Sequence, residues 1–198
     1  KEVAAKFIDD RATDRIGLVI FAGESFTLCP ITTDYDALKS QVYNIRSGVL
    51  EDGTAIGSGL VTALDRLKSS LSKSKIIILL TDGENNTGFA PLTAKEIARL
   101  LKIRVYTIGV GTEGFAPVPQ LNEAGQLTME QQKVNIDEKF LKELAAETGA
   151  RYFRAKDNQG LSNIYAEIDQ LEKTKVEVHH LNHYSERYYS LILIAISL

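Results

Sequence analysis

The sequence is poor in cysteine and has no excess of positive charge. Its 198 residues include one cysteine, Cys29, so a disulfide within the chain is excluded and we expect a small buried hydrophobe there. Lysine and arginine number 23 against 26 aspartates and glutamates, which gives a net charge of −3, and no basic stripe is present. The composition therefore excludes the electrostatic footprint of a nucleic-acid-binding protein.

Catalytic signatures are missing as well. The sequence contains no GxSxG elbow and no HExxH motif, and no nucleophile can be placed beside a base. The three histidines lie together in HHLNH, as His179, His180 and His183. Such spacing can bind a metal, but the surrounding polar stretch favours a solvated linker. These absences argue against an enzyme.

Apolar strands alternate with amphipathic helices along most of the chain. This order predicts an α/β fold with a doubly wound, mostly parallel central sheet and helices on both faces. Pro30 marks its strand as an edge or an exit. The predicted strands are 14–23, 25–32, 76–81, 104–111 and 151–155, and the predicted helices are about 34–46, 60–67, 93–102, 137–148 and 161–171.

One segment, at about 112–136, breaks this alternation. It carries Pro117, Pro119 and the turn-forming pair Ala124-Gly125 between short runs of mixed polarity. We predict a hairpin inserted between a strand and a helix. It is either a second contact surface for a partner or a solvent-exposed decoration.

Both ends of the sequence look interrupted. It begins at Lys1 in what reads as the middle of a helix, and it ends in the apolar run SLILIAISL. We expect a piece of a longer protein. The final run is shorter than the roughly 20 apolar residues of a membrane span. It fits the start of a transmembrane segment, with Tyr184, Arg187, Tyr188 and Tyr189 at the membrane interface, better than it fits a buried strand.

Polar side chains follow the most apolar strand, in IIILLTDGENN. Asp82 comes directly after this strand, and the loop DGTAIGSG, which carries Thr54, comes before a predicted helix. Ligands of open α/β sheets bind beyond the carboxyl ends of the strands, so both residues are expected at one edge of the sheet. A carboxylate and a hydroxyl suit Mg²⁺, which prefers oxygen ligands and keeps several waters.

Purely structural roles account for Asp82 and Thr54 as well. The spacing of these residues alone favours such roles over a metal site. Asp82 before Gly83 is ordinary turn chemistry, in which the glycine lets the chain turn away sharply. Thr54 fits a helix N-cap. Glu84, Asn85 and Asn86 fit a solvent-facing rim that could also touch a partner. The glycine-rich loop matches neither GxxxxGK[ST] nor GxGxxG, so it is weak evidence for phosphate binding.

These motifs together resemble a von Willebrand factor A domain over nearly the whole chain. DRIGLVIFAG, DGTAIGSGL, IIILLTDGENN and VYTIGVG occur in the order of that family. The stretches GESFTLCPITTDYDAL, TGARYFRA and IYAEIDQLEKT are similar to the bacterial Bat proteins, which are membrane-tethered A-domain proteins named for aerotolerance.

The resemblance implies a Rossmann-like doubly wound sheet with a metal-ion-dependent adhesion site for Mg²⁺ or Mn²⁺. Such a site uses a DxSxS motif, a threonine and an aspartate; Thr54 and Asp82 match the last two. A carboxylate of a partner protein completes the coordination. The expected partner contacts around it are Gly53, Gly83, Glu84 and Asn85.

The DxSxS motif is absent from this sequence. In the family it lies on a strand that would precede Lys1. The resemblance therefore implies weak or no Mg²⁺ binding by this chain alone. It also implies an empty strand position in the sheet, which the run SLILIAISL could fill if it does not enter a membrane.

The resemblance leads to one main functional hypothesis. The chain would be a non-enzymatic interaction module at the bacterial cytoplasmic membrane, facing the periplasm. Residues 1–172 would form the A domain, and 173–198 a juxtamembrane arm with the start of an apolar segment. Its partners would be other Bat-type A-domain proteins or helical-repeat proteins. The alternatives are a magnesium-dependent nucleotide-binding or phosphoryl-transfer enzyme, and a structural domain with a vestigial site.

Overall fold

A computed structural model describes the backbone of residues 1–11, 13–111, 114–121, 127–134 and 136–180, and side chains within 1–11, 13–111 and 136–173. Helices and strands alternate as predicted. The helices are α1 (Glu2–Asp9), α2 (Tyr35–Asn44), α3 (Ile56–Lys68), α4 (Pro91–Leu100), α5 (Glu138–Glu147) and α6 (Asn158–His180). The strands are β1 (Ile16–Phe21), β2 (Ser25–Thr32), β3 (Ile76–Thr81), β4 (Arg104–Val110), β5 (Gly114–Leu121), β6 (Leu127–Val134) and β7 (Tyr152–Ala155).

Three parallel strands form the centre of the fold, in the order β3-β4-β7. Their last residues are in register, with Thr81 opposite Gly109 and Gly109 opposite Arg154. The carboxyl ends of these strands therefore meet at one edge of the sheet, which we call the upper edge. The predicted α/β fold is confirmed.

The first two strands form a separate antiparallel pair. Within the described residues β2 pairs with β1 alone, so the exposed Pro30 stands on an edge strand, as predicted. Within the same residues β1 pairs only with β2, and β3 pairs only with β4. Among the described residues no strand joins the β1-β2 pair to the β3-β4-β7 sheet, and helix α3, which contacts β1, β2 and β3, connects the two parts.

Helices α3, α4 and α5 share the larger hydrophobic core with β3 and β4. Tyr106 and Ile108 alternate with the core residue Val105 along β4 and are equally buried, so both faces of this strand are covered. A smaller cluster joins α1 and α2 to the β1-β2 pair, and it includes the buried Cys29. The larger core comprises Ile56, Leu60, Leu64, Ile77, Leu79, Ala94, Ala98, Ile103, Val105, Phe140, Leu141 and Leu144.

Some boundaries differ from the predicted ones. Helix α6 continues to His180, so His179 and His180 lie on a helix. His183 lies outside the described residues, and the solvated linker expected for the three histidines stays a prediction. Strands β5 and β6 pair antiparallel within the region predicted as a hairpin, and the residues that join them, 122–126, are not described.

The chain divides into two compact units, Lys1–Ala166 and Glu167–Leu198. In the second unit Lys173 forms an ion pair with Asp169 one helical turn earlier, at 2.7 Å. None of the helices in the described part of the chain is both long and apolar enough to cross a membrane. The expected membrane segment and its rival, a strand formed by SLILIAISL, both fall outside the described residues.

Candidate functional site

Three loops converge beyond the ends of β1 and β3. The Gly23 N–H, in the β1-β2 turn, donates to the Glu51 carbonyl oxygen at 2.7 Å, and the Ala55 N–H donates to the Ala22 carbonyl oxygen at 2.6 Å. Gly53 adopts a φ of +138°, which side chains rarely allow, and a Cβ on it would stand 3.0 Å from the Gly23 Cα. The loop before α3 is therefore fixed against the β1-β2 turn.

The turn after β3 presents Asp82 to solvent. Thr81 closes this turn, because its Oγ1 accepts a hydrogen bond from the Gly83 N–H at 3.3 Å. The alternative that Asp82 closes its own turn is therefore wrong. A glycine was expected to let the chain turn sharply at this position. Gly83 does not have a positive φ, so the backbone conformation of this turn does not require a glycine. The Asp82 carboxylate is exposed and has no hydrogen bond or ion pair within the described residues.

Thr54 lies beside this turn. Its Oγ1 is 3.5 Å from the position that a Cβ on Gly83 would occupy. The N-cap of α3 is Ala55, without a side-chain cap, so the expectation that Thr54 serves as an ordinary N-cap is wrong. No hydrogen bond to the Thr54 hydroxyl is present among the described residues. The structure thus places a hydroxyl and a carboxylate, both unused, on adjacent loops.

Two asparagines fasten the loop after β3 to the loop before α3. The Thr54 N–H donates to Asn86 Oδ1 at 2.8 Å, and the Asn86 N–H donates to the Thr54 carbonyl oxygen at 3.0 Å. The Gly57 N–H donates to Asn85 Oδ1 at 3.1 Å, while Asn85 Nδ2 donates to the Thr87 carbonyl oxygen at 3.1 Å. We call these contacts the asparagine clasp. A solvent-facing rim was expected here, and the clasp was not.

These donors fit a hard divalent cation in part. Mg²⁺ takes oxygen ligands, accepts one or two protein carboxylates and keeps several waters, so Asp82 and Thr54 could hold it with water and a partner in the remaining positions. Within the described side chains no group of three or more histidines, cysteines, aspartates or glutamates could hold a metal ion. The donors of the described residues would therefore fill only part of a coordination shell.

The same geometry argues against a phosphate cradle. A phosphate-binding loop needs backbone N–H groups that point at the ligand. Here the N–H groups of Thr54, Ala55 and Gly57 donate to Asn86, Ala22 and Asn85, respectively. The glycine-rich loop is thus stabilised within the protein, and the phosphoryl-transfer alternative loses its main support.

A second polar cluster lies farther along the upper edge, over Gly109. Arg154 donates to the Glu138 carboxylate at 3.2 Å and to the Gly111 carbonyl oxygen at 3.0 Å. Lys142 also donates to Glu138, at 2.8 Å, and lowers the pKa of that carboxyl below its usual range. Every charge in this cluster has an opposite charge beside it, so the cluster offers no unpaired charge to a ligand.

The comparisons with known proteins agree with the geometry. The family model described as von Willebrand factor type A domain matches residues 1–167. The chain is similar to the solved structure of the conserved hypothetical protein BatB from Bacteroides thetaiotaomicron, with 29% identity, a TM-score of 0.69, and coverage of 87% of this chain and 86% of that chain. It is also similar to an aerotolerance-related membrane protein from Bacteroides fragilis, with 26% identity, a TM-score of 0.68, and coverage of 84% of each chain.

A curated relative extends the comparison in sequence. An uncharacterized protein from Borreliella burgdorferi is 30% identical over 191 residues, which cover 94% of this chain and 56% of the relative. The chain spans about half the length of the curated relatives it matches. The family model covers most of the chain, and the loop edge with Thr54 and Asp82 lies inside the matched residues. The chain belongs to the von Willebrand factor type A domain family.

Proposed function

We propose that the chain is a non-enzymatic protein-interaction module that binds its partner at the loop edge formed by Thr54 and Asp82, through a Mg²⁺ or Mn²⁺ that the intact protein binds and that this chain alone binds weakly. One observation carries this proposal. Asn85 and Asn86 join these loops by hydrogen bonds within the protein, whereas the Asp82 carboxylate and the neighbouring Thr54 hydroxyl form none among the described residues. Unused oxygen donors on a rigid support are suited to an external ligand.

In this proposal the chain's own residues bind and orient the cation. Asp82 supplies charge and Thr54 supplies a neutral oxygen, while a carboxylate of the partner would complete the coordination. Gly53 and Glu84 are exposed and Gly83 is half-buried beside them, so the partner can reach all three. Asn85 remains in the proposed contact set, although both polar atoms of its side-chain amide are engaged within the loop.

The setting of the module is a further part of the proposal. The similarity to a Bacteroides fragilis protein described as an aerotolerance-related membrane protein supports a place at the bacterial membrane. We propose residues 1–172 as the interaction domain and 173–198 as a membrane-proximal arm, with the domain in the periplasm. Other A-domain proteins of this type and helical-repeat proteins are the proposed partners.

A manganese titration followed by nuclear magnetic resonance tests the cation site. Mn²⁺ broadens the signals of nearby amides even when it binds weakly, so ¹⁵N spectra of the chain should show broadening centred on Thr54, Asp82 and Gly83. Asp82→Ala should abolish it. The same variant should change the free energy of unfolding by less than about 0.5 kcal/mol, because this side chain is exposed.

Asp52→Ala is the matched control, because Asp52 is an exposed carboxylate in the neighbouring loop. It should leave most of the broadening in place. Broadening that is centred elsewhere, or that persists in Asp82→Ala, would contradict the proposal.

A further inference from the structure

We infer that Asn86 is the positioning residue that holds the Thr54 hydroxyl beside the Asp82 turn. The inference rests on the proposed function, and it gives Asn86, which is exposed as expected of the rim, a supporting role at the site. Asn86 binds both backbone groups of Thr54, with its side-chain oxygen on the N–H and its own N–H on the carbonyl oxygen. Two hydrogen bonds from one residue fix both the distance and the orientation of Thr54.

The Thr54 side chain takes its position from the Thr54 main chain. The hydroxyl makes no hydrogen bond within the described residues, and Thr54 is only half-buried. Its place near the Gly83 backbone therefore depends on where the Thr54 main chain is held. Ligands of a metal site are oriented by the groups that hold them, and removal of such a group weakens metal binding.

Asn85 makes a different contact and provides a matched control. It accepts from the Gly57 N–H, in the first turn of α3, three residues beyond Thr54. This contact satisfies one of the unpaired N–H groups at a helix start. Asn85→Ala and Asn86→Ala thus remove the same amide group from adjacent positions, but only the second removes a hydrogen bond to Thr54; the backbone hydrogen bond from residue 86 to the Thr54 carbonyl oxygen remains.

The remainder of the loop should keep its place in Asn86→Ala. The Phe89 N–H donates to Ser58 Oγ at 2.9 Å, and a Cβ on Gly57 would stand only 1.9 Å from the Phe89 carbonyl oxygen. The loop after β3 therefore stays seated on the start of α3 through contacts that Asn86 does not make. We expect the variant to fold.

The experiment compares the wild-type chain, Asn86→Ala and Asn85→Ala, all ¹⁵N-labelled. Amide exchange at Thr54 should be roughly fivefold faster in Asn86→Ala, because one hydrogen bond is lost. Asn86→Asp, which keeps an acceptor oxygen at the same position, should restore slow exchange. In Asn86→Ala the apparent affinity for Mn²⁺ should fall roughly tenfold.

The ratio of Mn²⁺ broadening at Thr54 to that at Gly83 is the decisive quantity, because it does not depend on how much of the site is occupied. This ratio should fall in Asn86→Ala and stay at the wild-type value in Asn85→Ala. A ratio that is unchanged in Asn86→Ala, or that falls equally in both variants, overturns the positioning role and leaves the cation site intact. If wild-type Thr54 and Gly83 show no broadening, the proposed function and this inference both fail.

Discussion

Strands β4 and β1 are both rich in aliphatic residues, yet they are buried to different extents. Residues 105–109 of β4 are all buried, whereas every residue of β1 is half-buried or exposed. β4 has a strand on each side, β3 and β7, while β1 pairs only with β2 among the described residues. Composition alone would assign both strands to the centre of the sheet.

The difference shows that pairing on both edges, together with helices on both faces, produces full burial. The two regions also differ in how their chain segments are connected. In the β3-β4-β7 sheet, continuous ladders of hydrogen bonds connect the strands. Between β1 and β3 no such ladder exists within the described residues, and helix α3 and the loops at its start make the connection. The candidate site lies on those loops.

Matched isoleucine substitutions should show the largest effect. Ile108→Ala in β4 should cost about 2–5 kcal/mol of unfolding free energy, because the side chain is fully buried and leaves a cavity. Ile20→Ala in β1 should cost about half as much, because that side chain is only half-buried. Urea denaturation measures both values. Equal losses would mean that β1 is as well covered in solution as β4, and the comparison would be wrong.

Two glycines of α3 test the connection between the two parts of the sheet. A Cβ on Gly57 would meet the Phe89 carbonyl oxygen at 1.9 Å, whereas one on Gly59 would meet the Phe21 ring at 2.9 Å. Gly57→Ala should cost about 1–3 kcal/mol, because backbone must move.

Gly59→Ala should cost less than Gly57→Ala, because a side chain can shift and alanine favours a helix by about 1 kcal/mol. Thermal unfolding of both variants gives the order. A larger loss for Gly59→Ala would show that the contact of α3 with β1 is the tighter one.

The smallest effect concerns the charged cluster that Glu138 and Lys142 of α5 form with Arg154 of β7. Lys142, with Arg154 nearby, lowers the pKa of Glu138, so this carboxylate stabilises the fold at pH values above its unfolded pKa of about 4.3. The contribution is lost as the pH falls through the lowered pKa of the folded protein. Glu138→Gln should therefore reduce stability by less than about 1 kcal/mol at pH 7, and the difference from wild type should vanish in acid. Urea denaturation at several pH values checks this, and a difference that grows in acid would contradict it.

The repeating features of the fold could be predicted from the sequence. Strand β2 matches its predicted limits, since Ser25–Thr32 is bounded by turn residues, and β3 does so because its apolar run ends at Asp82. The approach of Thr54 to the Asp82 turn followed from the rule that strand ends meet at one edge of an α/β sheet.

The clasp could not be predicted in this way. Asn86 meets Thr54 across 32 positions of sequence, and no local pattern specifies such a contact. Asparagine side chains readily form hydrogen bonds with backbone groups, so Asn85 and Asn86 after Asp82 were a signal of loop contacts. They did not indicate which loop would be contacted. The roles of the glycines also depended on tertiary contacts: Gly53 and Gly88 have positive φ, and Gly83 does not.

The open strand edges of the described part of the chain have one further consequence. Strands β1 and β3 each have an edge without a strand partner among the described residues. A strand edge of this kind is a template on which another chain can add its own backbone. A further strand added at either edge would therefore pair with backbone groups that the described strands leave open.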